Sequence, residues 1–198
     1  MILGLTGGLG CGKSTAARFL AELGFRVLDS DKIVREEVLV NPEVAAAIGA
    51  RFPGVLDAAG RVARVRLAAR VFAPGGEADL RWLEELVHPR VQACWRHALA
   101  GAPAARWVVE VPLLFEKKME KWFDFTVCVA ASSPLQLARL SERGLPPVLA
   151  GPRISQQLPL AKKIELADFV LCNDGTRDAL RRQTVRLGAL LADAPARV

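Results

Sequence analysis

Apolar residues in this chain follow two alternating patterns. Near-continuous apolar runs at residues 1–5, 25–28, 106–111, 123–130 and 168–172 are short and bounded by turn residues. They predict buried strands of a parallel sheet covered on both faces. Residues 16–23, 32–48, 61–72, 79–99, 134–143, 153–166 and 176–191 carry apolar positions at helical spacing or have helical composition, which predicts helices between the strands. That order gives a doubly wound α/β fold with a five-stranded parallel sheet. The stretch from Lys32 to Leu99 lacks a convincing strand and reads as a helical insertion between the second and third strands. Within it Trp82, Leu83, Leu86, Val87, Val91 and Trp95 stand at core spacing, and Pro89 predicts a kink or break near His88. Residues 144–152 hold three prolines and two glycines, so no regular helix is expected there. The last few residues are expected to fray.

A chain of 198 residues accommodates one domain with a substantial core and an inserted subdomain. A hydrophobic share of 52% with 24% charged residues fits an ordinary soluble globular protein. No apolar stretch approaches the roughly 18 residues of a membrane helix. The amino terminus enters the first strand directly, without the pattern of a signal peptide. Cys11, Cys94, Cys128 and Cys172 are scattered, with only His88 and His97 as companions. Neither a zinc site nor a disulfide framework is expected, and a reduced cytoplasmic setting fits. Lys plus Arg exceed Asp plus Glu by 27 to 21, and 20 of the cations are Arg, a residue suited to bidentate grip on phosphates. An Arg-biased composition with solvated surface charge accounts for most of them. Without an uninterrupted basic run, small polyphosphates fit the charge better than nucleic acid. Assembly is expected to stop at a monomer or small homo-oligomer.

The chemistry gathers around Gly7-Gly8-Leu9-Gly10-Cys11-Gly12-Lys13-Ser14-Thr15, which has the G-x-x-x-x-G-K-[ST] spacing of a P-loop between a strand and a helix. Glycines let successive backbone N–H groups converge on phosphate oxygens, and the helix start adds the positive end of its dipole. Gly8, Gly10, Cys11 and Gly12 thus line a phosphate cradle. Lys13 is expected to reach the β- and γ-phosphates of ATP, Ser14 to ligate Mg²⁺, and Thr15 to contact the α-phosphate. Cys11 is most simply a small residue that fits.

Asp29 and Asp31 follow the second strand, on the edge where strand C-termini collect phosphates and their partners. Helix capping is the alternative use for either. No Asn-Lys-x-Asp base-recognition motif is present, since Asn173-Asp174-Gly175 is not one. That disfavours a GTPase switch. Glu110 is the nearest thing to the acidic strand end of a motor ATPase, and a salt bridge would explain it equally. A small-molecule kinase needs an acid near the acceptor hydroxyl, an acceptor-binding insert and arginines on a closing segment. Asp31, the helical insert, and Arg139, Arg143 and Arg153 supply all three.

The opening Thr6–Thr15 and Val27-Leu28-Asp29-Ser30-Asp31 resemble those of bacterial dephospho-CoA kinases. The resemblance continues through Gly60-Arg61 with Arg64, Leu67 and Phe72, His88-Pro89, and Val111-Pro112-Leu113-Leu114-Phe115-Glu116. Near the end it takes in Arg153-Ile154-Ser155, Gln157-Leu158-Pro159-Leu160 with Lys163, Ala167-Asp168, Asn173 and Gly175. It implies a P-loop kinase that transfers the ATP γ-phosphoryl group, with Mg²⁺, to the ribose 3′-hydroxyl of dephospho-CoA, completing coenzyme A. Asp31 would then accept or orient the hydroxyl proton. Asp29, Arg35, His88 and the turn Pro112, Leu113, Leu114 and Phe115 would hold the acceptor. Arg139, Arg143 and Arg153 would close over the phosphates, and Asn173 and Gly175 would lie near the adenine of ATP. The implied organisation is one kinase domain, with a core of residues 1–31, 104–138 and 159–198, an acceptor-binding insert of 32–103 and a lid of 139–158.

The sequence departs from the family at Gly144, where Asp is usual after Arg143, and over 145–152, where a Pro/Gly-rich stretch replaces a charged helix. A loop-like lid is therefore expected. Cys172 stands where the family tends to have Asp. Taken singly, His88 also suits a helix-end role, Arg139 an exposed pair with Glu142, and Trp82, Trp95 and Trp107 core positions.

Overall fold

Five strands, β1 (Ile2–Gly7), β2 (Arg26–Asp29), β3 (Trp107–Glu110), β4 (Phe125–Ala130) and β5 (Phe169–Cys172), form one parallel sheet in the order β2-β3-β1-β4-β5. The structure is a computed structural model, and it describes residues 1–192 and 194. The expected fraying of the last few residues falls largely on 193 and 195–198, outside the described residues. In chain order the helices are α1 (Lys13–Glu22), α2 (Ser30–Ile33), α3 (Pro42–Arg51), α4 (Arg64–Val71), α5 (Glu77–Ala100), α6 (Ser133–Glu142), α7 (Pro147–Ser155), α8 (Leu160–Leu166) and α9 (Arg177–Leu190). The chain forms two compact units, one of Met1–Asp29 with the chain from Ala104 onward, the other Ser30–Pro103.

The first unit holds the sheet. All six residues of β4 and all four of β3 are buried, which is why those strands lack polar alternation. Leu3 and Leu5 of β1, Phe19 and Leu20 of α1, Val127 and Val129 of β4, and Leu180 and Leu187 of α9 share one core. Each such side chain stabilises the fold by about 1.5–3 kcal/mol when fully buried, so α1 is fixed firmly at the end of β1. Two carboxylates fasten strand starts: Asp124 accepts the Ile2 N–H at 2.6 Å, and Asp168 accepts both the N–H and the hydroxyl of Thr126 at 2.8 Å. Because every strand runs the same way, the ends at Gly7, Asp29, Glu110, Ala130 and Cys172 line one edge.

The second unit is helical, with a single bridge between Leu56 and Val62 as its only strand pairing among the described residues. Residues 32–48, expected to be largely helical, are helical in successive segments. After α2 the chain winds as a π-helix over Val34–Val38 and restarts at α3. Pro42 bars its predecessor from the helical region. Asn41 caps α3 instead, accepting the N–H of Glu43 at 2.9 Å and of Val44 at 3.3 Å. Asp57 binds the N–H groups of Ala59 and Arg61, and so holds Arg61 in a turn ahead of α4. These bonds, that from Arg61 above all, keep its carboxyl below the ordinary range. Of the kink or break expected near His88, the break does not occur, since the 24-residue α5 is continuous through Pro89. Val87, Val91 and Trp95 are buried along α5, enough packing to offset the one backbone hydrogen bond a proline removes.

Two further expectations are corrected in the first unit. No regular helix is expected over residues 144–152, yet 147–152 belong to α7. Pro147 opens the helix, where a missing N–H costs nothing, and the Leu149 and Ala150 N–H groups both reach the Pro146 carbonyl. The single helix expected over 153–166 is two, α7 and α8, separated at Pro159, which caps α8. Among the described residues no helix is long and apolar enough to cross a membrane.

Candidate active site

β1 leads straight into the glycine loop, and α1 starts at Lys13. The loop can take this path only with glycine at certain points, Gly12 and Gly10 among them. Gly12 has φ 95°, and a Cβ there would lie 2.3 Å from Asn173 Nδ2. Gly10 has φ 79°, and its Cβ would come within 2.8 Å of the Gln136 carbonyl. An L side chain is strained at such angles and has no room here. Asn173, at the end of β5, donates to the Cys11 carbonyl at 2.8 Å. The amide therefore supports the phosphate loop itself. Gln136 of α6 is 3% exposed and ties back to the Ala131 carbonyl at 2.8 Å.

Lys13 curls over the loop, and its Nζ donates to the carbonyls of Gly7 and Gly8, both at 3.1 Å. The Ser14 hydroxyl donates to Glu110 Oε2 at 3.0 Å. Glu110 is the last residue of β3, in register with Leu5 of β1 and Asp29 of β2. Hydroxyl and carboxylate side by side form the oxygen donor set that suits Mg²⁺, whose remaining ligands are ordinarily phosphate and water. No group of three or more His, Cys, Asp or Glu suited to a metal exists among the described residues, so these two oxygens fit a shared rather than a caged ion. Cys11 is fully buried, and burial pushes its thiol up despite the opposing charge of Lys13. It is therefore a packing residue and not a thiolate nucleophile.

Arg139 of α6 is half-buried, and its Nη2 donates to the Asn173 carbonyl at 2.8 Å. Its Nη1 is buried with no hydrogen-bond partner. A buried guanidinium N–H in that condition suits an anionic oxygen, so Arg139 is more than an exposed helix residue paired with Glu142. Arg143 caps the end of α6 and Arg153 lies in the last turn of α7, both exposed. Thr15 is half-buried in the first turn of α1. Beyond β5, Asp174 accepts the Ser132 N–H at 2.6 Å, which holds its carboxyl below the ordinary range. Gly175 is exposed. Cys172 is bracketed through its backbone by Gln183, at 2.9 and 2.7 Å.

After β3, Pro112 and Leu113 are half-exposed, whereas Leu114 is 0% and Phe115 5% exposed. Pro112 and Leu113 are thus the open part of the turn expected to hold the acceptor, and Leu114 and Phe115 pack beneath them. In the second unit Asp31 lies in α2 and Arg35 in the π-helix, both exposed. His88 is half-buried within α5 and not at a helix end.

Sequence reasoning missed Gln136 and Gln183, because a helix glutamine carries no motif. Glu110 was visible as an acidic strand end, but only the structure pairs it with Ser14. Lys163 and Glu116 stood in the resemblance without a role.

The family model for dephospho-CoA kinase, CoaE, matches residues 1–179. The dephospho-CoA kinase of Geobacillus kaustophilus is 37% identical over 192 residues, covering 94% of each chain. That of Deinococcus radiodurans is 42% identical over 188 residues, covering 91% of this chain and 87% of its own. Among solved structures, TT1252 from Thermus thermophilus superposes with a TM-score of 0.84 at 33% identity, over 97% of this chain and 98% of that one.

Proposed function

Since the chain belongs to the dephospho-CoA kinase family and phosphorylates dephospho-CoA to coenzyme A with ATP, we propose a division of labour among its residues. Asp31 accepts the proton of the ribose 3′-hydroxyl as that oxygen attacks the γ-phosphorus. Asp29, Arg35, His88 and the turn beginning at Pro112 and Leu113 hold the acceptor. The backbone of Gly8–Thr15 and the Lys13 ammonium bind the triphosphate, with Lys13 leaving the Gly7 and Gly8 carbonyls for the β- and γ-phosphates. Ser14 and Glu110 would hold Mg²⁺, which would supply charge neutralisation to the phosphates. Arg139 gives its buried second N–H to the transferring phosphoryl group. Arg143 and Arg153, on a lid of residues 139–158, add charge as it closes. Residues 32–103 serve as the acceptor-binding insert. Asn173 and Gly175 border the nucleotide, Asn173 by shaping the loop. The reaction takes place in the cytoplasm and needs no nucleic acid or membrane.

The observation that carries this reading is the Ser14–Glu110 contact beside a glycine loop that Asn173 holds open. It places a hydroxyl, a carboxylate and a lysine at the one edge where phosphates bind in open α/β sheets. The test is a coupled assay with ATP, Mg²⁺ and a panel of acceptors, with the product examined by phosphorus NMR. A new monoester on the ribose 3′-oxygen is expected with dephospho-CoA, and no transfer to nucleoside monophosphates. Transfer to another hydroxyl would refute the assigned acceptor chemistry.

A further inference from the structure

Lys163 is the most completely buried cation described, with 0% exposure. Its ammonium meets Glu116 Oε1 at 2.8 Å and donates to the Pro112 carbonyl at 2.9 Å. Burying an ammonium is costly unless its geometry is fully specified, so the position demands a reason. The same Glu116 oxygen accepts the N–H of Leu158 at 2.9 Å. The same Pro112 carbonyl accepts the Thr6 hydroxyl at 3.3 Å. One carboxylate and one ammonium thus join α8, the turn after β3 and Leu158, where the chain leaves α7 for α8, and the Pro112 carbonyl ties that turn to Thr6 near the end of β1. No role assigned above uses either charge.

The joint also retains hydrogen-bonding capacity. Glu116 Oε2 and Gln157 Oε1 are both buried acceptors without a partner. Dephospho-CoA carries amide and amino N–H groups that such acceptors suit.

We propose that Lys163 and Glu116 are a positioning pair that makes the 112–116 turn and the root of the lid one mechanical piece, so that acceptor binding at the turn is felt by the lid. This rests on the acceptor reading of the turn. The pair touches neither phosphate nor reacting oxygen. An apolar pair of similar shape would keep the fold and lose the linkage, because it can neither accept the Leu158 N–H nor donate to the Pro112 carbonyl.

The test is the double variant Glu116→Met/Lys163→Met, compared with the wild type, whose turnover of dephospho-CoA must first be measured and which tests the acceptor reading separately. The variant is expected to raise KM for dephospho-CoA and lower kcat, each by about tenfold or more, while the Kd for ATP stays within about twofold. Unchanged kcat and KM, with only a shift in Tm, would reduce the pair to packing and overturn the proposal. An equal loss of ATP affinity would do so too, by making it a prop for the phosphate loop. Should the double variant not fold, hydrogen exchange in the wild type decides. Adding dephospho-CoA without ATP is expected to slow exchange over residues 157–160, and an unchanged rate overturns the coupling.

Discussion

Glu110 at the end of β3 accepts the Ser14 hydroxyl at 3.0 Å, across a sheet register that also sets Glu110 beside Asp29. Two segments far apart in sequence thus share one oxygen cluster at the mouth of the phosphate loop. Ser14→Ala and Glu110→Gln are each expected to weaken the Mg²⁺ requirement curve by about 10- to 100-fold. ATP binding measured without the metal should change little. Turnover followed against Mg²⁺ concentration checks this, and a variant with the wild-type half-saturation point would remove that residue from the metal site.

Gly12→Ala should abolish nucleotide binding. The added Cβ would sit 2.3 Å from Asn173 Nδ2, on backbone already at φ 95°. Left-handed backbone alone costs an L-residue about 1–2 kcal/mol, and the clash displaces the amide that holds the Cys11 carbonyl. Calorimetric titration with ATP and a melting curve together read both effects.

Arg139 offers a sharper test of charge against shape. Arg139→Lys retains the cation but cannot both donate to the Asn173 carbonyl and present a second fixed N–H. Loss of a preorganised donor to a developing charge typically costs about 10²–10³ in kcat. A fall of that order is expected, with KM for ATP moving much less. A fully active lysine variant would show that charge alone suffices.

The buried thiols predict an alkaline limit to stability. Burial pushes Cys128 from an ordinary 9.0 up to about 11, with neighbouring Cys11 adding to the rise. Between these values the unfolded chain has lost the proton and the folded chain keeps it. The contribution is therefore intact below pH 9 and is lost as pH climbs towards 11. Each tenfold in the ionisation constant is worth about 1.4 kcal/mol, so the loss from Cys128 is on the order of 2–3 kcal/mol. Urea unfolding at pH 8 and pH 10.5 should show a smaller difference in Cys128→Ala than in the wild type.

Much of this was legible because it is local. The P-loop spacing announces itself, and strands buried on both faces read as apolar runs, as β3 and β4 do. Asp31 and Glu110 could be picked out as acids following strands. What the sequence hid depends on partners far along the chain. Ser14 meets Glu110 at 96 residues' separation, and Asn173 reaches Cys11 across 162. The lid misled for a different reason. Proline counts against helix by composition, yet Pro147 stands where a helix needs no N–H. Leu114 and Phe115 look like open contact residues in a motif, and only the structure shows their side chains buried.

The central claim is that Asp31 readies the acceptor oxygen while the phosphate loop grips ATP independently of it. The most direct measurement is kcat of Asp31→Asn at saturating ATP and dephospho-CoA, with ATP affinity determined in parallel. Loss of a general base costs about 10²–10⁴ in rate, so a fall of at least about a hundredfold with unchanged ATP affinity is expected. Wild-type kcat in that variant would contradict the account.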